Sequence, residues 1–173
     1  SPQIWAWHES RIHQIARDVD MILSIFPFEK EWYQQRAPGL RVEYVGHPLL
    51  DRYKEYASRV GERVPTEPYH VLFLPGCREK ELSRHLPVLA EAAPVVAAAL
   101  NVKFRVVLPD EKLQDLVERN FPKTDVEICT RKLAESLLWA DVAVASSGTV
   151  TMECSYFQVP TVIFYKTSFF TAF

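Results

Sequence analysis

A loop of small and charged residues follows an apolar run near the middle of the chain. Residues 72–74 predict a buried strand, and residues 75–81 lead from it into a helix. Gly76 permits close backbone approach, amides at a helix start attract anions, and Arg78 can donate two parallel hydrogen bonds to phosphate oxygens. A tight strand-to-helix turn with Arg78 in solvent explains the same residues, so both interpretations stay open.

A second loop of the same kind follows the predicted strand 142–145. Ser147 precedes Gly148 and Thr149, which stand where a helix begins, so the amides of Gly148 and Thr149 are expected to face an anion. Glu153 lies one turn further and could accept hydrogen bonds from two neighbouring hydroxyls, as a ribose presents them. The alternative is a capped helix whose Glu153 lies on the surface.

An aromatic segment near the start of the chain adds a third candidate. On a predicted strand end, Trp5 and Trp7 point to the same side. Arg11 follows on a helix expected to be capped by Ser10. An aromatic face beside cations suits a sugar or an acyl chain that carries phosphate, while core packing is the alternative for either tryptophan alone.

Several common sites are not predicted. Neither loop matches the dinucleotide fingerprint or the P-loop pattern, so no cofactor is expected. The five histidines are scattered and the three cysteines are unpaired in spacing, which disfavours a metal site. A net charge of −2 disfavours nucleic-acid binding. The odd cysteine count favours a reducing compartment such as the cytosol, and no apolar run is long enough to cross a bilayer.

The elements that must position these loops alternate between strand and helix. Short apolar runs without polar alternation predict strands buried in parallel sheets, and they occur at residues 21–26, 41–45, 71–74, 104–108, 126–129, 142–145 and 161–165. Helical spacing is found at residues 10–19, 28–36, 49–57, 80–100, 110–119, 131–139 and 149–157. The sequence therefore predicts an α/β fold of two doubly wound, Rossmann-like units.

The predicted boundary between the units is a charged stretch punctuated by Gly61, Pro65 and Pro68. We assign residues 1–60 to the end of a first domain, 61–69 to a linker and 70–173 to a second domain. The first domain is expected to be cut at its start and the second at its end, so that the chain is an internal piece of a longer protein.

Five motifs occur in the order and approximate spacing of one enzyme family. They are Ser1-Pro2-Gln3-Ile4-Trp5-Ala6-Trp7, Phe26-Pro27-Phe28-Glu29, Gly46-His47-Pro48, Leu74-Pro75-Gly76-Cys77-Arg78-x-x-Glu81 and Ser147-Gly148-Thr149-x-x-x-Glu153. With them the chain resembles the lipid-A-disaccharide synthases over nearly its whole length. The first motif is specific to that family, while the last two are shared more loosely with other nucleotide-sugar glycosyltransferases.

The resemblance implies an inverting glycosyltransferase of the two-domain GT-B type. It would join UDP-2,3-diacylglucosamine to 2,3-diacylglucosamine 1-phosphate and release UDP without a metal. Six residues resemble the UDP-binding set, with Glu153 on the ribose and Arg78 near the diphosphate; the others are Gly76, Ser147, Gly148 and Thr149. Trp5, Trp7 and Arg11 would line the cleft from the acceptor-side domain.

Further expectations come with the resemblance. The general base is expected upstream of Ser1, so the stretch alone is expected to be inactive. A location on the inner face of the inner membrane, with peripheral contact, and a homodimer are also compatible with it. Cys77 departs from the usual serine of the family, which removes a hydroxyl donor from the phosphate loop.

Two other interpretations stay open. One is a related UDP-sugar enzyme, such as an undecaprenyl-linked N-acetylglucosamine transferase or a UDP-sugar epimerase. The other is a nucleotide-sugar-binding module without chemistry. The Trp5-Ala6-Trp7 segment disfavours the related enzymes, because they lack it.

Overall fold

A computed structural model describes residues 2–121 and 125–166 of the chain. The chain divides into two compact units, Ser1–Lys54 and Glu55–Phe173. The predicted linker, residues 61–69, thus belongs to the second unit. The assignment of the units to an acceptor side and a nucleotide-sugar side stays a prediction.

The first unit contains a parallel strand pair and the helices around it. Strands β1 (Met21–Ser24) and β2 (Arg41–Tyr44) pair in register from Met21 with Arg41 to Ser24 with Tyr44. Its helices are α1 (Ile4–Trp7), α2 (Ile12–Asp18), α3 (Pro27–Arg36) and α4 (Leu49–Arg52). A 3₁₀ turn at Glu9–Arg11 precedes α2, and another follows α4 at Lys54–Arg59. The core is apolar and is formed by Ile4, Ile12, Ile22, Tyr33, Leu40 and Val42.

The aromatic segment of the first unit is helical, which corrects the predicted strand end. Trp5 and Trp7 lie two residues apart in α1, where each residue advances about 100° around the axis. Their side chains therefore point in nearly opposite directions. Ser10 also fails as a helix cap, since it lies inside the 3₁₀ turn Glu9–Arg11 and Arg11 is the residue before α2.

The second unit is built on a five-stranded parallel sheet with the order β5-β4-β3-β6-β7. The strands are β3 (Tyr69–Leu74), β4 (Val102–Leu108), β5 (Val126–Thr130), β6 (Val142–Ser146) and β7 (Thr161–Phe164). The connecting helices are α5 (Glu79–Ala99), α6 (Gln114–Asn120), α7 (Leu133–Trp139) and α8 (Val150–Tyr156), with a 3₁₀ turn at Glu111–Leu113. From β3 the chain continues to β4 and β5 on one side of the sheet, and from β6 it continues to β7 on the other side. Parallel sheets bind ligands at the position between two such strands.

Helix α5 is the longest in the described part of the chain and supports the sheet beneath that position. Its buried residues recur at helical spacing at Leu82, Leu86, Leu89 and Ala93, and they pack on the sheet. The helix continues through Pro87 and Pro94. Each proline lacks the N–H that would form a helical hydrogen bond. We expect the burial of this apolar stripe to offset the stability that is lost with those hydrogen bonds.

The predicted α/β fold with parallel sheets is confirmed. Each strand predicted in residues 71–165 is present within two residues of its expected bounds. None of the helices in residues 2–121 and 125–166 is both long and apolar enough to span a bilayer.

Candidate functional site

An open pocket of about 430 Å³ lies at the carboxyl ends of the strands of the second unit. The strands β3 and β6 are neighbours there, with Leu74 paired to Ala145. The loop after β3 and the loop after β6 therefore meet in one pocket, as the sequence predicts. Both loops contribute to the lining, with Gly76, Cys77, Arg78, Glu81, Ser146, Ser147, Gly148, Thr149 and Glu153.

The first turn of the pocket depends on Gly76. Its φ of +119° is a conformation that side-chain-bearing residues rarely adopt. A Cβ at this position would also lie 2.8 Å from Glu81 Oε2. Glu81 in turn accepts a hydrogen bond from the Cys77 amide, with 3.3 Å between N and Oε2. The backbone conformation thus requires glycine, and a side chain here would also displace the Glu81 carboxylate.

Arg78 presents its charge at the rim of this turn. Its side chain is 79% exposed, and its Nη1 lies 3.5 Å from Glu81 Oε1. An exposed ion pair of this kind contributes little to stability. The guanidinium is therefore available to a ligand in the pocket while Glu81 restricts where it can move.

The second turn joins β6 to α8. The Ser147 amide donates to the Phe164 carbonyl at 3.2 Å, which anchors this turn to β7. Thr149 occupies the N-cap position of α8, and the Gly148 carbonyl accepts the Thr151 hydroxyl at 2.8 Å. A Cβ at Gly148 would meet nothing within 4 Å, so no neighbouring atom of the protein requires a glycine at this position.

Glu153 lies in the first turn of α8 and lines the pocket. It is 7% exposed, so the alternative of a surface glutamate is wrong. A largely buried carboxylate at the wall of an open pocket is suited to accept hydrogen bonds from ligand hydroxyls. Its assignment to a ribose stays a prediction.

The remaining wall is apolar and combines the ends of β3 and β4 with the first residues of α7 and α8. It consists of Leu74, Val107, Leu108, Pro109, Leu133 and Val150, next to Arg131. Arg131 has a φ of 59°, and its amide donates to the Leu108 carbonyl at 2.9 Å. Its position directly after β5 is the signal that could have identified it from the sequence, by the strand-end argument used for the other two loops.

All three cysteines are free, and only Cys77 is exposed. Burial raises the pKa of the Cys154 thiol, and it also raises that of Cys129, where the nearby Glu127 carboxylate acts in the same direction. Both buried residues are therefore held as neutral thiols. Cys77 contributes its backbone amide to Glu81, and the thiol takes no part in this contact. The expected effect of a cysteine in place of a serine hydroxyl stays a prediction.

The three candidate residues of the first unit do not share a face. The Trp5 indole is half-buried and donates from Nε1 to Glu29 Oε1 at 3.0 Å. Trp7 is 83% exposed, and Arg11 is exposed on the 3₁₀ turn. A cleft role for Trp5, Trp7 and Arg11 stays a prediction.

Glu29 is a residue whose role the sequence did not reveal. Its carboxylate is fully buried and also accepts from the amides of Ile25 and Phe26, at 3.1 and 3.0 Å. These bonds connect two of the five motifs, because Trp5 belongs to the first and Phe26 to the second. A structural requirement thus explains part of both motifs.

Within residues 2–121 and 125–166, no group of three His, Cys, Asp or Glu side chains is arranged to hold a metal ion. The groups in the pocket lining that can offset ligand charge are Arg78, Arg131 and the turn amides apart from those of Cys77 and Ser147, which donate within the protein. Metal independence is a prediction that a chelation experiment can test.

The family model described as lipid-A-disaccharide synthetase matches residues 1–173, the whole chain. The chain belongs to the lipid-A-disaccharide synthetase family. Lipid-A-disaccharide synthase 1 of Legionella pneumophila (strain Paris) is 35% identical over 179 residues, which cover 99% of this chain and 46% of that protein. Lipid-A-disaccharide synthase of Thiobacillus denitrificans (strain ATCC 25259 / T1) is 36% identical over 179 residues, covering 99% and 47%. The chain thus spans about half the length of the curated relatives it matches.

A solved structure shows the fold independently of sequence. A protein from Listeria monocytogenes, described as a UDP-N-acetylglucosamine 2-epimerase, superposes with a TM-score of 0.61 at 13% identity and covers 96% of this chain and 48% of that one. At this identity the likeness concerns the fold alone. The expected GT-B class of this member of the lipid-A-disaccharide synthetase family is confirmed.

Proposed function

We propose that the second unit binds the UDP part of a nucleotide sugar in an inverting glycosyl transfer. The donor would be UDP-2,3-diacylglucosamine and the acceptor 2,3-diacylglucosamine 1-phosphate, giving a β-1,6-linked disaccharide and UDP. The observation that carries this proposal is the convergence of two glycine-containing turns and a buried carboxylate in one pocket. It occurs in a chain of the lipid-A-disaccharide synthetase family.

The proposed roles follow from where negative charge lies. Arg78 would bind the diphosphate together with the turn amides other than those of Cys77 and Ser147, which already donate within the protein. Glu153 would accept hydrogen bonds from the ribose hydroxyls. The apolar wall at Leu108 and Pro109 leaves room for the rest of the nucleotide.

In the proposed reaction the acceptor 6-hydroxyl attacks the sugar C1 from the face opposite to UDP. The C1–O bond to the diphosphate breaks as the new C1–O bond forms, and the electron pair leaves with UDP. The acceptor proton passes to a base that we expect upstream of Ser1. Because negative charge grows on the leaving diphosphate, the Arg78 guanidinium, held beside Glu81, would stabilise the transition state.

Both proposed substrates have acyl chains, so the proposal also concerns where the protein meets them. We expect the full-length protein to work in the cytoplasm against the inner face of the inner membrane, where such lipids are held.

The decisive test is product formation by the full-length protein. We expect it to convert the two diacylglucosamine substrates into UDP and a lipid disaccharide phosphate, measured by mass spectrometry. Conversion of UDP-N-acetylglucosamine into its 2-epimer would support the epimerase alternative instead. Tight UDP binding without turnover of either substrate would indicate a binding module.

The same assay tests metal independence. Activity is expected to survive an excess of EDTA, since Arg78 and backbone amides offset the diphosphate charge. Loss of activity in EDTA with recovery in Mg²⁺ or Mn²⁺ would contradict this part of the proposal.

A further inference from the structure

A buried histidine lies directly beneath the first turn of the pocket. His85 belongs to α5 and is 1% exposed. Its Nδ1 lies 2.7 Å from the Pro75 carbonyl oxygen, and the Lys166 amide nitrogen lies 3.3 Å from its Nε2. Both ring nitrogens are thus engaged with backbone groups, one after β3 and the other after β7.

These two partners define the tautomer. A carbonyl oxygen can only accept, so Nδ1 must carry the proton and donate it to Pro75. The Lys166 N–H can only donate, so Nε2 must present its lone pair. The neutral imidazole with its proton on Nδ1 satisfies both backbone groups at once.

The bond to Pro75 has a consequence for the next residue. The only cis peptide bond in the described part of the chain joins Glu67 to Pro68, so the Pro75–Gly76 peptide is trans. In a trans peptide the C=O and the following N–H lie in one plane and point in opposite directions. With the Pro75 carbonyl held toward the buried His85, the Gly76 N–H points away from it. Gly76 lines the pocket.

We infer that His85 is a positioning residue for the nucleotide-sugar site. It fixes the Pro75–Gly76 peptide plane so that the Gly76 amide is presented to the ligand diphosphate. The inference rests on the proposed UDP binding and assigns a new residue to it. Glu81 holds the following amide, that of Cys77, so His85 and Glu81 fix two successive peptide units of the turn.

Three substitutions of His85 separate this role from simple packing. His85→Asn keeps a donor at the Nδ1 position and loses Nε2. His85→Gln places an acceptor near the Nε2 position and loses the donor to Pro75, and His85→Leu loses both. UDP affinity of the full-length protein is measured by calorimetry, with folding checked by circular dichroism and the melting temperature.

We expect His85→Asn to bind UDP within about twofold of wild type, and His85→Gln and His85→Leu to bind about three- to tenfold more weakly. Leu89→Ala is the matched control, because Leu89 is 2% exposed in the same helix and does not line the pocket. It should lower the melting temperature without changing UDP affinity.

The outcomes distinguish the two proposals. A wild-type protein that does not bind UDP contradicts the proposed function itself. A wild-type protein that binds UDP, with Asn and Gln variants of equal affinity, overturns the role of His85. Should His85→Leu fail to fold, the Asn and Gln pair still decides, since each keeps one polar group of the imidazole.

Discussion

The five-stranded sheet has charged residues at both ends of its strands, and they are used in different ways. We call the side where the strands end the carboxyl edge and the side where they begin the amino edge. At the carboxyl edge, Arg78 is 79% exposed at the rim of an open pocket. At the amino edge, Asp141 is 5% exposed and pairs with Arg63, whose side chain is 30% exposed. Both edges combine arginine with a carboxylate, but only one of them leaves its arginine largely in solvent.

The amino edge is a closed network. Asp141 Oδ2 accepts from Arg63 Nη2 at 3.1 Å and from the His70 amide at 2.7 Å. Burial alone would raise the Asp141 pKa, but the hydrogen bonds from Arg63 and His70 outweigh it and lower the pKa. The His70 ring stacks on Trp139 with 4.2 Å between centroids. These groups satisfy one another, so they are suited to stabilising the fold.

The carboxyl edge is arranged for an external partner. Arg78 has a weak ion pair with Glu81, and the pocket beside it is open. Both edges have an arginine near a carboxylate, but the pair that is more buried stabilises the fold and the exposed one is available to a ligand. Each edge should therefore respond to a different measurement.

The largest expected effect is on stability, from Asp141→Ala. It removes a buried acceptor of charged and backbone donors, so we expect a loss of about 3 kcal/mol in the free energy of unfolding. The measurement is urea denaturation of the full-length protein, together with UDP affinity, which should stay unchanged. Asp115→Ala, an exposed aspartate on α6, is the control and should have little effect. A fall in UDP affinity with unchanged stability would contradict the structural role of Asp141.

Arg78→Ala should give the opposite pattern. Loss of a charge-assisted contact of roughly 1.5–3 kcal/mol predicts a 10- to 150-fold loss of UDP affinity by calorimetry. Stability should hardly change, because the side chain is exposed. Lys80→Ala removes a nearby exposed charge outside the pocket and serves as the control. Unchanged UDP affinity in Arg78→Ala would refute the phosphate role.

Glu153 tests whether a buried carboxylate at the carboxyl edge acts on the ligand or on the fold. Glu153→Ala removes both acceptor oxygens and Glu153→Gln keeps one, so we expect losses in UDP affinity of about tenfold and threefold. Discrimination between UDP and 2′-deoxy-UDP should shrink in both variants. If both keep the wild-type preference for the 2′-hydroxyl and lose only thermal stability, Glu153 is structural.

The smallest expected effect is a pH dependence of stability at the amino edge. Burial lowers the His70 pKa below its ordinary 6.5, and the Arg63 charge adds to this. The unfolded chain therefore takes up a proton before the folded one as the pH falls. Stability from the neutral ring is complete above pH 6.5 and declines as the pH falls through the lower folded pKa.

His70→Phe is the test of that dependence, because it keeps an aromatic ring for Trp139 and removes the titrating group. The difference in unfolding free energy between wild type and variant should shift against wild type between pH 7 and pH 5. A difference that does not vary with pH would contradict the lowered His70 pKa.

The strands and the two pocket turns could be predicted because their signals are local. Uninterrupted apolar runs such as residues 71–74 indicate buried parallel strands, and Gly76 and Gly148 mark the turns that follow. Parallel strands place such turns at the same edge, so the convergence of Arg78 and Glu153 followed from topology.

The features that the sequence does not predict depend on local structure in some places and on contacts between distant residues in others. The sequence predicts a strand end at Trp5 and Trp7, yet they lie in α1, which separates their side chains. The Trp5 indole binds Glu29, 24 residues away. Asp141 and Arg63 are 78 residues apart, and the residues around each of them do not predict that they pair. Arg131 was missed although its position after β5 carries the strand-end signal.

The sequence by itself determined the alternating α/β order, the glycine-containing turns and the family. Those properties depend on periodicity and on residue types at short spacing, which a linear chain displays directly. Only the tertiary structure decided which polar groups are already satisfied within the protein. Burial and hydrogen-bond partners depend on residues brought together from far along the chain: Asp141 with Arg63, Pro75 with His85, and His85 with Lys166. That is why Arg63 and Arg78, which are the same residue type in the sequence, differ in what they can bind.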